Sequence, residues 1–364
     1  VGESLNVGIV GLGVISAQYL DTIERLPMLN LVAVADLAPA AARVVADRYR
    51  VRAGSVAELL ADPEVEVVLN LTTPGAHAEI ALAAIAAGKG VYGEKPLALD
   101  TAEARQILDA AAAAGVVVGC APDTVLGTGV QTARKALDDG LIGQPISATA
   151  TFMSPGHERW HPNPDFYYAP GGGPLLDMGP YYLTALITLF GPVASVIGAA
   201  SRSRSLRTIT SGPRTGQTVP VGVDSHVTGV LTHASGVLST VVMSFDAVAT
   251  QAANLEVHGE TGSLIVPDPN HFSGVVQLRT LADDGWRELP VSAGYLDAGR
   301  GVGLADLALE PHPDSTGQPR AGGDLAYHVL EVMESVLASA HQGRAVSVLS
   351  SVPRPTAVPL SSLI

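Results

Sequence analysis

An α/β fold in two parts is predicted: a doubly wound parallel sheet over residues 1–123, then an open, mostly antiparallel sheet with helices over 124–364. Three observations carry this. Before residue 123, short apolar runs alternate with alanine-rich helical stretches, the βαβ pattern of a parallel sheet with right-handed crossovers. Beyond it, longer strand-like segments follow one another at hairpin spacing, with turns such as Glu260-Thr261-Gly262 between them. The length of 364 residues suits about two domains of ~150 residues each.

In the first part, strands are expected at 6–10, 31–35, 65–71, 90–92 and 116–120, with helices at 16–26, 40–49, 78–87 and 101–114. In the second, a helix at 130–139 leads to strands at 146–153, 193–200, 226–232, 236–245, 254–258, 264–266 and 275–281. An apolar helix is expected to run to about Phe190, and a last one covers 325–340. The polar stretches 201–217 and 310–323 read as mobile loops.

Composition narrows the function classes. Lys and Arg number 21 against 35 Asp and Glu; the net charge of −14 repels phosphate backbones and anionic lipid, so neither nucleic acid nor a membrane surface is expected as a partner. No uncharged apolar run reaches the ~20 residues of a membrane span. With 47% hydrophobic and 15% charged residues, the chain reads as globular. Cys120 alone forms neither an internal disulfide nor a thiolate metal cluster, and Val1-Gly2-Glu3-Ser4 is unlike a signal peptide, so a cytoplasmic protein is expected.

The first chemical signal follows the first strand. Gly11-Leu12-Gly13-Val14-Ile15-Ser16 lies between a strand and a helix, the setting of a dinucleotide-binding fingerprint. The first glycine permits the tight turn; the second lets a pyrophosphate approach the unpaired N–H groups at the helix start. Ser16 stands where a third glycine is usual. About 20 residues on, Asp36 ends the next strand, placed to accept from an adenosine ribose and to repel a 2′-phosphate, which favours NAD over NADP. Thr72-Thr73-Pro74-Gly75-Ala76-His77 sits at the carboxyl edge of the sheet, where ligands of such sheets bind.

The run Gly88-Lys89-Gly90-Val91-Tyr92-Gly93-Glu94-Lys95-Pro96 ends a strand in an acid, a base and a proline. With the fingerprint and Thr73-Pro74, it resembles the Gfo/Idh/MocA oxidoreductase family, and the likeness extends over nearly the whole chain. The resemblance implies a Rossmann domain in which Gly11, Gly13, Val14, Ile15, Asp36, Thr72, Thr73, Pro74, His77, Glu94 and Lys95 bind NAD. It also implies that Lys95 lies between nicotinamide and substrate, that Glu94 holds a cofactor ribose, and that a cis Lys95–Pro96 bond aims the lysine. An ammonium beside a reacting hydroxyl would stabilise alkoxide charge.

In the second part, Pro170-Gly171-Gly172-Gly173-Pro174-Leu175-Leu176-Asp177-Met178-Gly179-Pro180-Tyr181-Tyr182 opens the apolar helix. Asp177 is read as its N-cap and Pro180 as a first-turn proline. Four residues apart, Asp177 and Tyr181 share a helix face, whereas Tyr182 is turned ~100° away, which selects Tyr181. The segment resembles the family's Gly-Gly-x-Leu-x-Asp-x-Gly-x-His, with tyrosine for histidine. The resemblance makes Asp177 the residue that orders substrate and Tyr181 the acid–base, given a tyrosine pKa brought down from ~10 by Lys95 and the cofactor's positive ring. Helix capping and core packing are the alternatives for this pair.

His157-Glu158-Arg159-Trp160-His161 matches a zinc-hydrolase pattern, but Pro155-Gly156 before it and Pro162 and Pro164 after it leave no continuous helix, and no metal is expected. Eight of the 16 aromatic residues fall between Phe152 and Phe190, so the segment is read as a substrate wall with Arg159, Trp160 and His161 as contacts; loop packing or a subunit contact is the alternative. Asp123, after the last strand of the first part, is a further substrate candidate or a turn residue.

The resulting expectation is an NAD-dependent oxidoreductase of a cyclic sugar, sugar derivative or polyol, with Lys95, Asp177 and Tyr181 at the reacting centre. A redox-cycling NAD-dependent glycosidase and a noncatalytic cofactor-binding sugar sensor are the alternatives that the resemblance leaves. It also implies a homodimer or homotetramer paired through the open sheet.

Overall fold

The computed structural model describes residues 4–309 and 319–364. The chain forms two compact units: one holds residues up to Gly127 with Gly294–Tyr327 and Val358–Ile364, the other Thr128–Ala293 and His328–Ala357.

The first unit is built on β1 (Leu5–Val10), α1 (Ser16–Arg25), β2 (Leu29–Ala35), α2 (Pro39–Tyr49), β3 (Arg52–Gly54), α3 (Val56–Ala61), β4 (Val67–Asn70), α4 (His77–Ala86), β5 (Gly90–Gly93), α5 (Thr101–Ala114) and β6 (Val118–Cys120). Its six parallel strands run β3-β2-β1-β4-β5-β6, so the order reverses between β1 and β4, the switch point at which such sheets bind ligands. β4 and β5 are buried on both faces, as helices on both sides of a parallel sheet require. The ends of α5 are written locally: the Asp100 side chain accepts from the N–H of Glu103, and Gly115 stops the helix in the left-handed region at φ +66°. The sequence reading passed over β3 and α3. They have three and six residues, too few for a visible period, although Ser55 and Glu58 form a reciprocal capping box.

The second unit comprises α6 (Thr128–Asp138), β7 (Pro145–Met153), α7 (Asp165–Tyr168), α8 (Pro174–Phe190), β8 (Val193–Ser201), β9 (Leu206–Thr208), β10 (Thr218–Pro220), β11 (His226–His233), β12 (Leu238–Ser244), β13 (Leu255–Gly259), β14 (Gly262–Val266), β15 (Gln277–Thr280) and β16 (Arg287–Glu288). After these come α9 (Val302–Ala308) in the first unit, α10 (Gly323–Gln342) and β17 (Val346–Ser347). The large sheet runs β16-β15-β14-β13-β7-β12-β11-β8-β17 and is antiparallel except for the β7–β12 pair. One face is covered: a Cβ on Gly198 would lie 2.2 Å from the Val336 carbonyl oxygen, so only glycine lets α10 pack this closely. On the other face, Ile197 and Val230 are paired neighbours and both exposed.

The stretch 201–217 is corrected by the structure. It contains β9 and pairs with β10, and its Arg207 side chain is buried between Glu158 and Asp246. A polar stretch reads as a solvated loop from sequence, because the partners of Arg207 lie 49 and 39 residues away. The expected loop 310–323 lies largely outside the described residues.

Candidate functional site

At the end of β1, Gly11 has φ +95°, and a Cβ there would stand 2.7 Å from the Leu71 carbonyl, so the fingerprint turn is closed to other residues. Gly13 is exposed and a Cβ on it would meet nothing within 4 Å, which leaves open space over the start of α1. Ser16 does not merely replace a glycine: its hydroxyl donates to the Gly13 carbonyl at 2.7 Å and ties the loop to the helix. Val14 is almost wholly exposed at the loop tip, and Ile15 is half-buried. Asp36 accepts from the Leu12 N–H through Oδ2 and from the Ala38 N–H through Oδ1, both at 2.7 Å, which holds its carboxylate against the fingerprint loop.

Around Lys95 the structure gives several predicted ligand residues internal partners. Glu94 accepts from the Tyr19 hydroxyl at 2.8 Å and from the Lys95 N–H at 3.0 Å. His77 is buried; its Nδ1 lies 2.7 Å from the Pro96 carbonyl oxygen and its Nε2 3.0 Å from that of Thr72, so the ring clasps the turn after β4 to the turn after β5. Thr72 donates its hydroxyl to Asn70 at 2.6 Å, while Thr73 is exposed and Pro74 half-buried. The Lys95–Pro96 bond is cis, as is Ala121–Pro122. Lys95 is half-buried at the end of this scaffold. Tyr19 and Asn70 carry no motif, and sequence reasoning missed both.

Asp123, for which a substrate contact and a turn role are both expected, opens the short turn Thr124–Leu126. It is fully buried, and its Oδ2 accepts from the N–H groups of Gly301 and Gly303 at 2.8 and 3.0 Å. Burial raises its pKa above the ordinary carboxylate value. Its donors lie nearly 180 residues downstream, beyond any local pattern.

In the second unit, α8 begins at Pro174 with Gly173 as its cap residue, so Asp177 lies inside the first turn and Pro180 inside the helix. The capping role assigned to Asp177 therefore passes to Gly173, which stands at φ +95°. Asp177 and Tyr181 are one turn apart; both tyrosines are buried, and Tyr182 donates to Asp268 at 3.1 Å and accepts from Asn254 at 2.9 Å.

The residue most clearly missed is His157. Its Nε2 lies 3.0 Å from Oδ2 of Asp177. Residues His157–Arg159 form a single short turn, so the helix of the zinc pattern is absent; Glu158 pairs with Arg207 at 2.9 Å, and His161 Nδ1 accepts from the Asn163 N–H at 3.1 Å. Arg159 and Trp160 are exposed, and Trp160 and His161 join Phe166 and Tyr167 in a cluster of edge-to-face and tilted rings with centroids 4.0–6.5 Å apart.

Residues 5–121 match the model of an oxidoreductase family with an NAD-binding Rossmann fold, and residues 130–265 match a GFO/IDH/MocA C-terminal domain. The 1,5-anhydro-D-fructose reductase of Ensifer adhaerens is 32% identical over 302 residues, 81% of this chain and 83% of that protein. The chain belongs to the Gfo/Idh/MocA oxidoreductase family. An inositol 2-dehydrogenase/D-chiro-inositol 3-dehydrogenase of Lactiplantibacillus plantarum is 35% identical over 151 residues, 38% of this chain and 41% of that enzyme. An NAD-binding oxidoreductase from Klebsiella pneumoniae superimposes with a TM-score of 0.80 at 26% identity, covering 95% of this chain and 99% of the other. As a member of this family the protein is an NAD-binding oxidoreductase. Its first unit fits that cofactor: the space over Gly13 at the start of α1 is open, where a pyrophosphate could approach the backbone. Among the described residues, no helix is long and apolar enough to cross a membrane.

Proposed function

We propose that the protein transfers a hydride between NAD and a carbinol or carbonyl carbon of a cyclic sugar, sugar derivative or polyol. The observation that carries this reading is the Glu94-Lys95-Pro96 turn at the carboxyl edge of the parallel sheet, where Tyr19, His77 and Glu94 all brace the backbone that presents Lys95. The anhydrofructose reductase and inositol dehydrogenase relatives support the substrate class. Gly11, Gly13, Val14 and Ile15 would hold the pyrophosphate side of NAD, and Asp36 its adenosine ribose. Bound NAD supplies a hydride acceptor. In the oxidation direction, Tyr181 accepts the hydroxyl proton, Lys95 stabilises the alkoxide and Asp177 orders the hydroxyl; reduction is the reverse. Arg159, Trp160 and His161 offer flat apolar faces and polar groups suited to a carbohydrate. The exposed apolar residues Ile197, Val230 and Leu238 on the open sheet face support pairing of subunits there.

The test is absorbance at the reduced-nicotinamide band with NAD, then NADP, against pyranoses, glycosides, inositols and anhydrosugars. A rise with NAD and one substrate group is the expected result. Lys95→Ala should then lower kcat by roughly 100-fold or more while NADH still binds, the scale of losing a transition-state charge partner. An unaltered kcat would remove Lys95 from the mechanism. Release of an aglycone without net reduction of NAD would replace this reading by a redox-cycling glycosidase.

A further inference from the structure

We propose that His157 is the positioning residue for Asp177: it donates its Nε2–H to Oδ2 and fixes that carboxylate one helical turn before Tyr181. The inference rests on the reading of Asp177 as the group that orders the substrate hydroxyl.

Three observations within the second unit carry it. First, Asp177 offers an acceptor, so the contact at 3.0 Å puts the imidazole proton on Nε2. Nδ1 is buried and has no hydrogen-bond partner among the described residues, which leaves Asp177 as the polar contact of this ring. Second, the ring is held by packing: the centroids of Tyr167, Phe245 and Trp160 lie 4.3, 4.4 and 5.1 Å away. Third, its backbone is held as well. The His157 N–H donates to the Tyr168 hydroxyl at 3.1 Å, and that hydroxyl donates to Glu158. Arg207 closes the lock, donating to Glu158 at 2.9 Å, to the Pro155 carbonyl at 3.1 Å and to the Phe245 carbonyl at 2.7 Å. Gly156, at φ +109°, leaves no room for a Cβ, which would stand 2.3 Å from both Arg207 and Glu158. Two charged side chains are thus buried to immobilise the turn that carries His157. A carboxylate held by such a donor keeps one rotamer before substrate arrives, so less ordering is left to the reaction itself.

The experiment compares His157→Phe, which keeps a ring in the aromatic slot, with His157→Gln, whose amide can donate near the position of Nε2. With the substrate found in the absorbance panel, Phe should lower kcat/KM by roughly 10- to 100-fold, the value of one hydrogen bond to a charged group. Gln should recover most of it, and KM for NAD should stay constant. Equal losses in Phe and Gln, or no loss in Phe, would overturn the proposal. A second measurement does not depend on turnover: 15N spectra of histidine-labelled protein should show the His157 signal, identified by its absence in His157→Gln, as the Nε2–H tautomer and shifted in Asp177→Asn. An Nδ1–H tautomer, or no response to Asp177→Asn, would also overturn it. If the panel shows no hydride transfer but the spectra show the pair, the assigned reaction fails and the His157–Asp177 contact stands.

Discussion

Asp36 holds the fold together at the fingerprint loop, and the proposed function gives it a second role at the cofactor. Its two oxygens hold the Leu12 and Ala38 N–H groups, and under the proposed function the same carboxylate accepts from the adenosine ribose. Removing the charge while keeping an acceptor separates the two roles. In Asp36→Asn the ratio of kcat/KM with NADP to that with NAD should rise by roughly tenfold or more, since a like charge no longer opposes the 2′-phosphate. An unchanged ratio would leave Asp36 only its loop-holding role. At the same scale, spacing on α8 puts Asp177 and Tyr181 one turn apart, whereas nothing near Asp123 announced that its carboxylate serves the N–H groups of Gly301 and Gly303.

Among the elements, α10 is joined to the large sheet through a buried histidine. The Val193 N–H at the start of β8 donates to His328 Nε2 at 3.0 Å, so the ring proton sits on Nδ1, 2.7 Å from the Ser350 hydroxyl oxygen. Burial lowers the His328 pKa to about 4 from an ordinary 6.5, and His233 nearby is lowered for the same reason. A histidine buried neutral contributes fully above its unfolded pKa, and its contribution is lost as pH falls from about 6.5 to about 4. Urea melts at stepped pH should show wild type losing up to about 3 kcal/mol more than His328→Asn between pH 7 and pH 4. Parallel losses would mean that His328 does not distinguish the folded from the unfolded state in this range.

For the whole molecule, the decisive feature is that the chain returns to its first unit at Gly294–Tyr327 and Val358–Ile364. A single boundary at 123/124 does not anticipate this. The returning segments add to the unit's hydrogen bonding: Ala321 accepts from the Cys120 N–H at 2.9 Å, Gly119 bridges to Gly322, and Gly301 and Gly303 donate to Oδ2 of buried Asp123. Residues 1–127 expressed alone should therefore lack a cooperative thermal transition, because an unsatisfied buried carboxylate and an open β6 edge remain. A sharp melt of that fragment by circular dichroism would show that the returning segments are dispensable.

The sequence alone determined the alternation of strands and helices, the fingerprint turn, the Lys95 turn and the shared face of Asp177 and Tyr181. Each is written in residues adjacent or one helical turn apart, where backbone sterics and periodicity act directly. Tertiary structure decided the rest: that 201–217 folds back to bury Arg207, that His157 meets Asp177 across 20 residues, that Asp123 faces inward, and that the first unit is closed by distant segments. Those contacts depend on which buried polar group finds which partner, and a satisfied partner far along the chain leaves no local pattern.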